Sequence, residues 1–206
     1  MSGATAHPPA VLVLVGLPGA GKSTLFAALN RRCPGRYCRV CQDILKSRPK
    51  CEKAARVALA QGLTPVIDRT NIDSKQRESW LKIATEAGVE AHAVFLSVSP
   101  ALCMQRVKDR TEHFSSQAKP FVVNMMKGRL RAPDVAEGFA KVDIVSTPED
   151  VAAFVSRVGG MKRSKNDAAV PAVTLAHEAI DSAGDDGGET QRPMSPKKKR
   201  SKNALQ

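Results

Sequence analysis

Gly16-Leu17-Pro18-Gly19-Ala20-Gly21-Lys22-Ser23-Thr24 follows directly on the apolar run Val11-Leu12-Val13-Leu14-Val15 and carries the spacing G-x-x-x-x-G-K-[ST]. The chemistry such a segment performs is the cradling of a nucleoside triphosphate. Gly19 and Gly21 free the backbone to turn so that successive N–H groups converge on the β- and γ-phosphates. Those donors open a helix, whose positive end favours an anion. Lys22 adds a mobile charge for the outer phosphates, and Ser23 offers a hydroxyl to Mg²⁺. The expected ATP-binding set is therefore Gly16, Pro18, Gly19, Ala20, Gly21, Lys22, Ser23 and Thr24, with Ser23 as the metal contact.

Three further places pair reactive side chains with suitable positions. Asp43, in Cys41-Gln42-Asp43 after a second apolar run, is placed to take a proton from an attacking hydroxyl. Asp68 closes Val66-Ile67-Asp68-Arg69-Thr70-Asn71, an apolar strand ending in a carboxylate suited to ordering a Mg²⁺ shell. Arg106 and Arg110 are spaced by four and share a helix face beside His113, Phe114, Ser115 and Ser116, as a lid over a transferring phosphate requires. Arg129 and Arg131 lie on the far side of that segment. Taken singly, each arginine also fits a solvated surface charge, and His113 a hydrogen-bonded structural histidine.

The elements that must position these groups read as alternating strands and helices, the pattern of an α/β fold with a parallel sheet. Apolar runs at 11–15, 37–41, 64–67, 91–98 and 142–145 supply five strands. Helices are expected at 25–32 and 51–61, then from Asp73 or Ser74 to 87, and at 100–110, with Gly62 and Gly88 as stops. The reading is a five-stranded, mostly parallel sheet covered by helices on both faces. In such sheets ligands bind beyond the carboxyl ends of the strands, where Asp43 and Asp68 fall.

The chain has 206 residues, 32 Lys and Arg against 20 Asp and Glu, and a formal charge of +12. That length accommodates one folded domain, expected at 11–158 after a flexible 1–10. Residues 159–206 are expected to be a disordered basic tail: 161–206 hold two Leu, one Ile and no aromatic residue, too little to offset the ordering entropy. The tail has nine Lys or Arg against six Asp or Glu, so most of the excess charge lies in the domain itself, as a polyanion partner requires. Lys197 to Lys202 form a dense basic cluster, readable as a contact for nuclear-import machinery, as a nucleic-acid tether, or as a solubilising run. No apolar run reaches the roughly 18 residues of a membrane span, and no secretory leader pattern opens the chain. A nuclear location, with a cytoplasmic pool, is the expectation. Cys38 and Cys41 have C-x-x-C spacing, but Cys33 and Cys51 stand alone where zinc sites use two close pairs; reduced thiols are the simpler reading.

The order of these pieces resembles the 5′-kinase module of polynucleotide kinase/phosphatases and the kinase modules fused to aprataxin-like proteins. The matching segments are 13–24, Arg39-Val40-Cys41-Gln42-Asp43, Val66-Ile67-Asp68-Arg69-Thr70-Asn71 with Arg77, Cys103-Met104-Gln105-Arg106 with Arg110, and Ala132-Pro133 with Glu137-Gly138-Phe139. The resemblance covers roughly 11–146. It implies a P-loop kinase fold, ATP and Mg²⁺, and transfer of the γ-phosphate to 5′-hydroxyl ends of DNA or RNA in end repair. It also implies Lys22 and Asp43 as catalytic groups, Arg106 and Arg110 in the lid, and Asp68, Asn71 and Arg77 in the acceptor pocket. Ile44-Leu45-Lys46 departs from the family's more usual Thr after the Asp. No D-x-D-x-T or H-x-H-x-H motif is present, which points to a kinase module alone. Two other classes fit the same phosphate loop: a small-molecule P-loop kinase, and a nucleotide-binding adaptor without catalysis.

Overall fold

A computed structural model describes residues 8–111 and 119–159, with the side chains of Arg110 and Thr111 outside the description. His113, Phe114, Ser115, Ser116 and the basic cluster Lys197 to Lys202 therefore lie outside the described residues. The strands are β1 (Val11–Val15), β2 (Tyr37–Cys41), β3 (Thr64–Asp68), β4 (Ala91–Leu96) and β5 (Lys141–Val145). They form one sheet in the order β2-β3-β1-β4-β5, and every pairing is parallel.

All five residues of β1 are buried because both faces of the strand are covered. Leu12 and Leu14 pack with Leu25, Phe26 and Leu29 of α1 (Lys22–Arg32), Cys103 and Val107 of α5 (Pro100–Thr111), and Phe154 of α7 (Pro148–Gly159). Val11, Val13 and Val15 face the other way, toward Ala54 and Ala55 of α3 (Arg48–Ala60) and Trp80 and Ile83 of α4 (Ser74–Glu86). The chain crosses from β1 to β2 on one side and from β3 to β4 on the other. That reversal opens a crevice at the carboxyl ends of β1 and β3.

The expected strands stand with small shifts at their ends, and the helices differ where caps were overlooked. Helix α1 starts at Lys22 rather than 25, because Gly21, at φ +102°, is itself the N-cap and joins the phosphate loop to the helix without a spacer. Helix α3 starts one turn before 51: the Ser47 hydroxyl accepts from the Lys50 amide, and Pro49 suits a first turn. Asp73, rather than Ser74, caps α4 by accepting from the Gln76 amide at 2.9 Å. Three helices were not expected: α2 (Gln42–Leu45), α6 (Pro120–Lys127) and α7. The last has a reciprocal cap in which Asp150 Oδ2 accepts from the Thr147 amide and Thr147 Oγ1 from the Asp150 amide.

Candidate active site

Residues Gly16 to Lys22 turn tightly between β1 and α1, and the turn is pressed against α5. Gly19 sits at φ +85°, and a Cβ there would collide with the Cys103 carbonyl oxygen, so both backbone and space demand glycine. Gly21 also has a left-handed backbone. Lys22 is 9% exposed and donates from Nζ to the carbonyls of Gly16 and Leu17, each at 2.9 Å. Its ammonium is thereby held inside the loop whose amides form the anion cradle.

One residue further, Ser23 Oγ donates to Asp68 Oδ2 at 2.9 Å. The contact exists because β3 pairs directly with β1, setting Leu14 opposite Asp68 at the strand ends. A hydroxyl and a carboxylate so close are hard-oxygen donors of the kind Mg²⁺ takes, and Ser23 and Asp68 are the residues that would hold that ion. Arg39, on β2, reaches the same two oxygens: Nε donates to Asp68 Oδ2 at 2.8 Å and Nη2 to Ser23 Oγ at 2.9 Å. Its guanidinium also lies 5.8 Å from the Phe26 ring centre. Sequence reasoning gave Arg39 no role; in a strand of mixed polarity nothing marks an arginine as reaching across a neighbouring strand.

Asp43 stands in the first turn of α2, exposed, and no described hydrogen bond or ion pair engages its carboxylate. It borders a cleft of about 480 Å³ that it shares with Lys22, Ser23 and Asp68, with Arg69 and Gln76 on the wall. Val122 and Met126 of α6 close the far side. Neither wall was legible beforehand: the segment 120–127 had no assigned element, and Gln76 has no chemical signature of its own.

Arg106, on α5, reaches the phosphate loop and donates from Nη1 to the Gly19 carbonyl at 3.4 Å. It also borders a second, largely apolar cleft of about 280 Å³, formed by Gly21 and Thr24 on one side and Val98, Pro148 and Val151 on the other. The cleft shared by Lys22, Ser23 and Asp68 lies to one side of the loop and an apolar slot to the other, the shape a nucleotide requires. The Arg110 side chain is outside the described residues. Arg131 folds back on the segment that follows α6, donating from Nη1 to the carbonyls of Gly128 and Leu130.

Asn71 and Arg77, expected in the acceptor pocket, stand behind the residues that line the cleft. Asn71 is 1% exposed; its Nδ2 donates to the Leu14 carbonyl at 2.7 Å and its Oδ1 accepts from Trp80 Nε1 at 3.1 Å. Its φ of +45° is one Asn tolerates better than most residues. Arg77, also 1% exposed, donates from Nε to Glu137 Oε2 at 2.8 Å and from Nη1 to the carbonyls of Asn71 and Arg131. Both act as struts behind the wall. Asp68, by contrast, does border the cleft. The cysteines also have structural surroundings: Cys38 and Cys41, an odd number of residues apart on β2, project from opposite faces. Burial pushes the Cys38 thiol up to about 11 and raises those of Cys41, Cys51 and Cys103.

The family described as AAA domain matches residues 48–133. A bifunctional polynucleotide phosphatase/kinase of Schizosaccharomyces pombe is 38% identical over 136 residues, which is 66% of this chain and 33% of that protein. The chain thus spans about a third of the length of that relative. A fungal RNA kinase superposes with a TM-score of 0.55 at 14% identity, covering 84% of this chain and 96% of the other. A gluconokinase of Sinorhizobium meliloti does so with a TM-score of 0.51 at 18% identity, over 74% and 94%. The fold is that of the P-loop kinases, and the resemblance to polynucleotide phosphatase/kinases read from the sequence is matched by a relative.

Proposed function

We propose that this P-loop kinase domain, similar to the polynucleotide phosphatase/kinases, transfers the γ-phosphate of ATP to 5′-hydroxyl ends of DNA or RNA. The observation that carries the reading is the unengaged Asp43 carboxylate on the same cleft as Lys22, Ser23 and Asp68. Lys22 and the loop amides hold the triphosphate, Arg106 covers it from α5, and Ser23 and Asp68 would hold Mg²⁺. That ion, when bound, neutralises charge on the phosphates. Asp43 takes the proton of the acceptor hydroxyl as its oxygen bonds to the γ-phosphorus. The bond from that phosphorus to the β-γ bridging oxygen breaks, and ADP leaves with the electron pair.

Two features support a polynucleotide acceptor over a small neutral one. The chain carries a formal charge of +12, and its curated relative is named for polynucleotide substrates. The likeness to a gluconokinase supports the competing reading, a small-molecule acceptor on the same scaffold. A nuclear location and a part in end repair are proposals resting on the basic cluster Lys197 to Lys202 and on that relative. The test of the site is Asp43→Asn. Affinity for ATP and oligonucleotide should persist while the rate falls roughly 10²- to 10⁴-fold, the scale of a lost general base. Collapse of ATP affinity with a normal rate at saturation would assign Asp43 to the nucleotide side instead.

A further inference from the structure

The two oxygens that suit a metal ion already face a cation of the chain itself. Arg39 turns one edge of its guanidinium to them: Nε donates to Asp68 Oδ2 at 2.8 Å, and Nη2 donates to that same oxygen and to Ser23 Oγ, the latter at 2.9 Å. The strand register makes this possible. β2 runs parallel to β3 with Cys41 opposite Asp68, so Arg39 lies two residues back on the same face and its long side chain reaches the strand end. Phe26, buried on α1, lies against the guanidinium with its ring centre 5.8 Å from Cζ and fixes the plane in which those N–H groups point. Ser23 Oγ is engaged from both sides, giving its proton to Asp68 and accepting from Arg39. The Asp68 side chain is buried far more deeply than that of Arg39. A carboxylate so placed needs a positive partner, and Arg39 supplies one.

A divalent ion seated on Asp68 and Ser23 needs the lone pairs at which these N–H groups point, and it brings two positive charges beside a third. The two cations therefore compete at Asp68 Oδ2. We propose that Arg39 is a resident counter-ion of the metal site, which a divalent ion must displace from Asp68 and Ser23 in order to bind there. The inference rests on the assignment of those two residues to the metal and goes beyond it. Displacement lowers the affinity for a free ion, whereas the phosphate oxygens of a bound nucleotide supply further ligands and negative charge that offset the loss. Ion and nucleotide thus enter together, and the buried carboxylate keeps a positive partner throughout. Arg39 acts as a positioning residue: it holds Asp68 and the Ser23 hydroxyl in place for the ion and takes no part in the proton transfer assigned to Asp43.

The experiment uses the full chain and Mn²⁺, a paramagnetic stand-in for Mg²⁺ whose binding is followed by electron spin resonance, with no nucleotide present. Arg39→Gln should tighten Mn²⁺ binding roughly 10- to 100-fold relative to the unaltered protein, the scale of the charge-assisted hydrogen bonds that no longer oppose the ion. Arg39→Lys, which keeps the charge, should show much of the original weakness. Adding Asp68→Asn to Arg39→Gln should abolish the gain. A second measurement reads the unaltered protein itself, so a poorly folding glutamine variant does not spoil the test. The Arg39 Nε–H resonance, assigned by its loss in Arg39→Lys, should exchange slowly with solvent in the free chain and with a non-hydrolysable ATP analogue alone, and faster once Mg²⁺ joins the analogue. Equal Mn²⁺ affinity of Arg39→Gln and the unaltered protein, with both weakened by Asp68→Asn, would overturn the inference while leaving the metal assignment and the kinase reading in place. So would an Arg39 Nε–H resonance equally protected with and without Mg²⁺. Mn²⁺ binding indifferent to Asp68→Asn would overturn the metal assignment and the inference together.

Discussion

Ser23, on α1, and Asp68, at the end of β3, are 45 positions apart in sequence, yet the serine hydroxyl donates to the carboxylate at 2.9 Å. The crossover that places β3 beside β1 brings them together, and Arg39 from the next strand donates to both. Three elements thus meet on one pair of oxygens beside the phosphate loop.

Asp68→Asn should therefore weaken metal use and fold together. The side chain of Asp68 is 4% exposed and that of Arg39 26%, so removing the charge strands the arginine at a cost of about 3 kcal/mol. In kinetic assays the Mg²⁺ concentration for half-maximal rate should rise by roughly tenfold or more. An unchanged Mg²⁺ dependence would remove Asp68 from the metal site. Lys22→Ala, in contrast, should lower turnover by on the order of 10²- to 10³-fold, through lost stabilisation of the transferring phosphoryl group.

Arg77→Ala should act on stability. It breaks the ion pair with Glu137 and frees the Asn71, Arg131 and Ala132 carbonyls, all behind the cleft wall. Loss of about 3–5 kcal/mol is expected in urea unfolding. The KM for ATP measured on the folded fraction should move little. A large KM change with normal stability would return Arg77 to the site.

Much of this arrangement was legible because its signals are local. The β1 run is apolar at every position because both faces are covered, and the phosphate loop announces itself by glycines whose backbone only glycine adopts easily. Asp43 and Asp68 were legible as carboxylates at strand ends. Arg39 was not: its partners lie on β3 and α1, and only strand order brings them within reach. Asn71 and Arg77 were placed in the acceptor pocket, yet carbonyls and Glu137 claim them from behind. Helix α6 was missed because its eight residues follow no apolar periodicity long enough to read, although Val122 and Met126 close the cleft.

The buried thiols predict a distinctive alkaline response. An unfolded Cys38 ionises near 9.0, whereas burial holds the folded thiol to about 11. Below pH 9 both states keep the proton and the stability is fully present. Between about pH 9 and 11 the unfolded chain releases it first, so stability falls by about 2–3 kcal/mol as pH rises. Denaturant unfolding across that range should show the loss, and Cys38→Ala should reduce its slope. A flat profile in the unaltered protein would contradict the placement of the thiol.

Deleting residues 161–206 should separate location from catalysis. Activity on short oligonucleotides should persist, since the groups assigned to the reaction lie within 16–110, while nuclear accumulation of a tagged protein should be lost. Binding of long nucleic acids should show a shallower salt dependence, by about 0.7–0.9 in log–log slope per phosphate contact removed. Continued nuclear accumulation of the truncated protein, with none conferred by 196–202 on a fusion, would refute the import reading of the cluster.

The most direct measurement offers the purified chain γ-labelled ATP, Mg²⁺, a 5′-hydroxyl oligonucleotide and, in the same tube, excess nucleosides and sugars. Label should appear on the oligonucleotide 5′ end, and Asp43→Asn should reduce it roughly 10²- to 10⁴-fold without loss of ATP binding. Label on a sugar or nucleoside with none on the oligonucleotide would make this a small-molecule kinase. ATP binding with no transfer to any acceptor would make it a nucleotide-binding adaptor, and either outcome would contradict the account.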